Sequence, residues 1–289
     1  MHLFDDIFQS FANDLNEIFT DLNGCLFDDY QLVRKPKKAA TMRLPRTLSG
    51  YNRAILAAPT DANLFYGRGY IRHNYRDDLG AIVDYNLAIA LNPQLTEAYA
   101  ARAISYTQLD RLTDAIADCD RAIELNPTLQ WAYYTRAVAR SYSGDNDGAI
   151  ADFTRCTQFE PTATAYYNLG VSQAISDLYT PALASLSKSL IKPEIATYYA
   201  RSAVLTGLGD EYGANRDYSE ALALETPGSG SLYPNDEHAY YFRALARLIR
   251  GKREEATSDL QATIAICDRK HNTALGQIAT AKIDEIDRG

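Results

Sequence analysis

Thr96–Pro127 reads TEAYAARAISYTQLDRLTDAIADCDRAIELNP, and its pattern decides how the rest of the chain is read. Tyr99, Arg102, Ala103 and Tyr106 recur at helical steps, and Ala115, Ile116, Asp118, Ala122, Ile123 and Leu125 form a second helical pattern. Polar residues from Gln108 to Arg111 separate the two, and Asn126-Pro127 closes the second. The unit returns every 34 residues: Pro59, Pro93, Pro127 and Pro161 share that interval, Pro193 follows after 32 and Pro227 after another 34. Proline cannot continue a helix, so each marks the end of one helix pair and the link to the next.

The places filled in one copy are Phe65, Arg68, Gly69, Arg72, Ala81, Tyr85, Ala88 and Pro93; in the next they are Tyr99, Arg102, Ala103, Tyr106, Ala115, Cys119, Ala122 and Pro127. This pattern resembles the tetratricopeptide repeat, over about residues 45–268. The resemblance implies an all-α fold, a right-handed α-solenoid of antiparallel helix pairs. It also implies that Gly69, Ala103, Ala137, Gly170, Ser202 and Ala244 meet Ala81, Ala115, Ala149, Ala182, Ala214 and Ala256 where helices A and B cross most closely.

Where the family usually has Leu, this chain has Arg68, Arg102, Arg136, Arg201 and Arg243, and sixteen residues after each stands Asp84, Asp118, Asp152, Asp217 or Asp259. Leu169 is the exception, and sixteen residues after it stands Ser185. Joint loss is what a paired contact predicts. A planar guanidinium set between helices needs a carboxylate that accepts its fork, so the ladder reads as structural ion pairs rather than an active site.

The formal charge of -8 over 289 residues opposes binding to nucleic acid, which would want a basic face. Cys25, Cys119, Cys156 and Cys267 lack metal-ligand spacing, and Cys119 and Cys156 fall at helix-B core places, which suggests small buried hydrophobes in a reducing compartment. No apolar run reaches the roughly 20 residues of a membrane helix, and the N-terminus has no basic region followed by a cleavage site. A cytoplasmic location is expected.

In chain order, residues 1–30 are acidic, without Lys or Arg, and Phe4, Phe8, Phe11, Leu15, Ile18 and Leu22 make one helical stripe. A basic linker, 31–44, follows. The repeat region, 45–288, divides into a half repeat 45–61, repeats 62–95, 96–129, 130–162, 163–194 and 195–227, a loop 228–236, and a repeat 237–268. Residues 272–287 resemble the family's C-terminal capping helix. The N-terminal stripe must bury itself: as a surrogate cap at the half repeat, as an occupant of the groove, or as a self-association helix.

The family's concave surface is drawn from helix A, and that resemblance nominates Tyr66, Tyr70, Glu97, Ile104, Trp131, Tyr134, Val138, Tyr167, Tyr199, His238 and Tyr241 as a partner-binding groove. Aromatics with hydroxyl tips can grip an apolar segment and still hydrogen-bond its backbone. For any single tyrosine, packing between repeats is the equal alternative. The family's carboxylate clamp needs Lys, Asn and Arg, where this chain offers Asn63, Tyr66, Tyr70, Ala101, Glu97 and Thr135. His2, His73, His238 and His271 are scattered, and no nucleophile elbow or phosphate loop appears. The expectation is a non-enzymatic scaffold that binds an apolar or amphipathic segment of another protein, with no cofactor and no metal. The alternative is an assembly factor for a multiprotein complex, such as a photosynthetic membrane complex, which would sit peripherally on a membrane.

Overall fold

The protein is described by a computed structural model covering residues 47–225 and 236–288. The segment 1–30, the linker 31–44 and most of the loop 228–236 lie outside the described residues. The described residues form fourteen helices in two compact units, divided between Ala139 and Arg140.

The first unit holds α1 (Leu48–Ala57), α2 (Ala62–Asn74), α3 (Asp78–Leu91), α4 (Thr96–Gln108), α5 (Leu112–Leu125) and most of α6 (Gln130–Ser143). The second holds the end of α6, then α7 (Asn146–Phe159), α8 (Ala163–Ile175), α9 (Tyr179–Ser189), α10 (Ile195–Gly207), α11 (Glu211–Leu224), α12 (Glu237–Leu248), α13 (Arg253–Lys270) and α14 (Thr273–Arg288). Within the units consecutive helices pack in pairs, α2 on α3, α4 on α5, α8 on α9, α10 on α11 and α12 on α13, and α14 packs on α13.

The turn inside each pair is the same device six times. Arg76, Asp110, Gly144, Asp177, Gly209 and Gly251 all take the left-handed conformation, with φ from 58 to 84°. The next residue's N–H then reaches back five residues to a carbonyl of the first helix: Asp77 to Arg72, Arg111 to Tyr106, Asp145 to Arg140, Leu178 to Gln173, Asp210 to Leu205 and Lys252 to Arg247, at 2.8–3.0 Å. This satisfies carbonyls that a helix end leaves open. The following helix is capped at once in three copies, where Asp77, Asp145 and Asp210 accept from the N–H groups of Gly80, Gly148 and Gly213. Between repeats, Asn92 and Asn126 stay extended before their prolines and accept from Gln94 and Thr128.

Small residues set the spacing of the pairs. A Cβ on Gly69 would stand 2.8 Å from the Tyr85 ring, and one on Gly170 would stand 2.7 Å from Leu186. Ala103, Ala137, Ser202 and Ala244 are fully buried at the equivalent places. The core of the second unit runs from Tyr167 and Val171 through Leu186, Tyr199, Tyr218, Phe242 and Leu260 to Leu275 on α14. Among the second helices α3, α5, α7 and α11 have 14 residues, whereas α9 has 11 and α13 has 18.

Candidate functional site

The ladder is a set of forked contacts. Nε and Nη2 of Arg68 donate to the two carboxylate oxygens of Asp84 at 2.9 and 2.6 Å, and Arg102 holds Asp118 the same way at 2.7 and 2.6 Å. Arg201 on Asp217 and Arg243 on Asp259 repeat the geometry in the second unit. Asp84 and Asp217 are wholly buried, so these charges depend on their partners. Asp84 and Asp259 each take a second guanidinium, from Arg72 and Arg247, and Asp152 accepts from Arg140 at 2.8 Å.

The third arm of the fork faces backward along the chain. Nη1 of Arg68 reaches Asn52, that of Arg102 reaches Asn86, and that of Arg136 reaches Asp120, each sixteen residues earlier. Arg243 uses Glu225 instead, at 3.0 Å. In Arg68, Arg102 and Arg243 one guanidinium therefore ties its own pair together and also holds the preceding repeat. Each is also stacked on the aromatic three residues before it: Phe65, Tyr99, Tyr133, Tyr198 and Tyr240, at 5.1–5.9 Å. In the repeat with Leu169, the Tyr166 ring receives Lys188 from α9 at 5.2 Å, and Ser185 donates to Gln173 at 2.8 Å. That repeat fills the Arg and Asp places with a second cation and a neutral hydrogen bond.

The residues nominated for partner binding all lie on the first helices of their pairs. In the first unit, α2 carries Tyr66 and Tyr70, α4 carries Glu97 and Ile104, and α6 carries Trp131, Tyr134 and Val138. Tyr66 and Glu97 are half-buried and come together: burial, then the Glu97 charge, push the Tyr66 hydroxyl far above its usual pKa. The Tyr66 ring lies tilted on Tyr85, 6.0 Å away. Tyr70, Ile104, Trp131, Tyr134 and Val138 are buried.

In the second unit Tyr167, Tyr199, His238 and Tyr241 are buried. Tyr199 is 0% exposed, donates to Glu225 at 2.7 Å and meets the Tyr218 ring edge-on at 5.8 Å. Packing within its own repeat accounts for this tyrosine. Tyr241 stands edge-on to Phe242 at 5.4 Å, and burial lifts its hydroxyl to about 12.

Two polar clusters escaped the sequence reading. His73 Nδ1 lies 2.5 Å from Asp78 and 3.3 Å from Ser105 Oγ, all three buried. Aspartate and serine share one ring nitrogen, so a proton relay from Ser105 through the ring to Asp78 has no path in this arrangement. The second cluster is Glu237, wholly buried at the start of α12, which accepts from Lys270 at 2.9 Å and faces the Asn272 amide at 3.4 Å. Burial pushes its carboxyl up, but Lys270, His238 and hydrogen bonds outweigh that, and the net pKa is lowered. Cys119, Cys156 and Cys267 are buried thiols outside any disulfide, and burial raises the Cys267 thiol far above its usual pKa, so it stays protonated at neutral pH. Among the described residues no group of His, Cys, Asp and Glu has metal-site geometry, and no helix is long and apolar enough to cross a membrane.

Residues 96–129 match the family model of the tetratricopeptide repeat. No curated protein matches the chain by sequence. Among solved structures, a tetratricopeptide repeat protein from Parabacteroides merdae aligns at 16% identity and a TM-score of 0.58, covering 81% of this chain and 91% of that one. MamA aligns at 23% identity and 0.54, over 57% of this chain and 92% of its own. A subunit of the Cut9–Hcn1 hetero-tetramer of the APC/C aligns at 18% and 0.55, over 79% of this chain and 44% of that chain. At these identities the likeness is one of fold: the protein is a helical repeat protein of tetratricopeptide architecture.

Proposed function

We propose that the protein is a non-enzymatic scaffold that takes an apolar or amphipathic segment of a partner protein along the first helices of its repeats. The observation that supports this most directly is the recurrence of a tyrosine at one place on those helices, in Tyr66 and Tyr134 of the first unit and Tyr167 and Tyr241 of the second, with Trp131 near Tyr134 on the same helix. The ladder supports it from below. Within each unit the Arg forks tie neighbouring repeats, through Arg68, Arg102 and Arg136 in the first and Arg243 in the second, so the stretch of the row that each unit carries is preorganised and a ligand does not have to order it. The charged side chains of the ladder are spent on one another, and the described histidines and cysteines have no geometry for acid–base or nucleophilic work.

Trp131 is the one tryptophan of the chain and reports on this surface. A partner identified by capture on the purified full chain is reduced to its apolar segment, and the segment is titrated against Trp131 emission. Tyr66→Ala, half-buried and reachable, is expected to weaken binding by about 2 kcal/mol, near thirtyfold, while leaving the helical content unchanged. A folded variant that binds the segment as well as the parent would remove the surface from consideration.

A further inference from the structure

The second helix of the first full repeat is apolar on two faces. Ala81, Ile82, Tyr85 and Ala88 are buried, while Leu79, Val83, Leu87 and Leu91 are 68, 55, 42 and 41% exposed. The exposed four are spaced by four residues and form one ridge of α3, about 18 Å long at 1.5 Å per residue. The repeat does not require this row. At the same register α5 has Thr113, Ala117, Arg121 and Leu125, α7 has Asp147, Ala151, Arg155 and Phe159, and α11 has Tyr212, Arg216, Glu220 and Leu224. Each of those rows is interrupted by charge, and the α3 row is not.

We propose that this ridge is an isologous contact through which two copies of the chain associate. A row repeating every four residues is complementary to itself, because the i±4 ridge of one helix fits the i±4 groove of its copy. An antiparallel crossing about Val83 and Leu87 sets the positive end of each α3 dipole beside the negative end of the other, and no basic residue in the last turn already compensates that end. The neighbouring surface does not oppose a like copy. Gly80, Asn86 and Ala90 flank the row without charge, Arg76 and Asp77 at the turn before it are exposed and of opposite sign, and on α5 Arg111 is closed by Asp114 and Arg121 by Glu124. A two-fold contact brings every flank against its own kind, which a net charge there would penalise. Four side chains per copy, even with Tyr75 at the turn before α3, fall below the roughly 800 Å² per partner of a standard interface, so the dimer is weak and concentration-dependent.

The test is sedimentation equilibrium on the full chain between about 1 and 500 µM. The weight-average mass is expected to rise from 32.1 kDa toward twice that value. The triple variant Leu79→Thr, Val83→Ala, Leu87→Arg gives α3 the first three residues of the α5 row and is expected to associate at least tenfold more weakly, with helical content and thermal midpoint unchanged. Leu87→Arg alone, the residue α5 and α7 already carry there, serves if the triple variant does not fold. A wild-type chain that stays monomeric, a folded variant that associates as tightly as the parent, or association abolished by deleting residues 1–30 alone would each overturn the proposal.

Discussion

Arg201 and Asp217 show what each rung of the ladder does. The carboxylate is wholly buried and both its oxygens face the guanidinium of Arg201, with Arg216 Nε 3.6 Å away at the surface. Arg201→Leu leaves that charge without its forked partner, and the expected loss is about 3–5 kcal/mol in urea melts. Adding Asp217→Ser is expected to restore most of it, because Leu169 and Ser185 already occupy these places in the preceding repeat. Equal losses for the single and double variants would mean that the pair is not energetically coupled. The forward arm of the fork was legible as a sixteen-residue spacing that disappears from both ends in one repeat. The backward arm was equally periodic, in Asn52, Asn86 and Asp120, but an asparagine on an outer helix face reads as a solvated residue and carries no demand for a partner. Lys188 over Tyr166 was not legible, since a lysine on a second helix has many ways to face water.

At the scale of elements, α12, α13 and the start of α14 are joined at Glu237. Its carboxylate accepts from Lys270 at the end of α13 and faces Asn272, whose side-chain oxygen accepts from the Leu275 N–H in the first turn of α14. Because the folded pKa of Glu237 lies below its ordinary value of 4.5, the ionised form favours the folded state. That contribution is complete above pH 4.5 and is lost as pH falls through the depressed folded value. Glu237→Gln is therefore expected to cost about 3–5 kcal/mol at pH 7, where Lys270 loses this counter-charge, and progressively less below pH 4.5. Parallel stability curves for the two proteins between pH 7 and pH 3 would show that the charge plays no such part. Glu237 was invisible in the sequence because an acid at a helix start has an ordinary explanation in the helix dipole, and its partner is 33 residues away. The intra-repeat turns were half legible: Gly144, Gly209 and Gly251 announce a left-handed residue, whereas Arg76, Asp110 and Asp177 do not.

At the scale of the whole molecule, a chain of repeated pairs gains stability chiefly from neighbour contacts, so an end needs a cover and a lesson at one end should stay local. The sequence marked residues 272–287 for that duty through Leu275, Ile278, Ala279 and Ile283. In the second unit α14 buries Leu275 and Ala279 against the core that includes Leu260 and Cys267, with Ile278, Ile283 and Ile286 partly covered. A Cβ on Gly276 would stand 3.3 Å from that of Cys267, so the two helices approach closely there. Ending the chain after Asn272 keeps Lys270 and Asn272 beside Glu237 and removes this cover together with the Leu275 N–H bond to Asn272. Losing the burial of Leu275 and its neighbours is worth about 3 kcal/mol, which lowers the amide protection of α12 and α13 by roughly a hundredfold. Helices α2 to α5 belong to the other compact unit and are expected to exchange as before. Hydrogen exchange read residue by residue decides this. Undiminished protection in α13 would mean that α14 is not a cap, and an equal fall in α2 to α5 would mean that the chain unfolds as one cooperative body rather than as a row of neighbours.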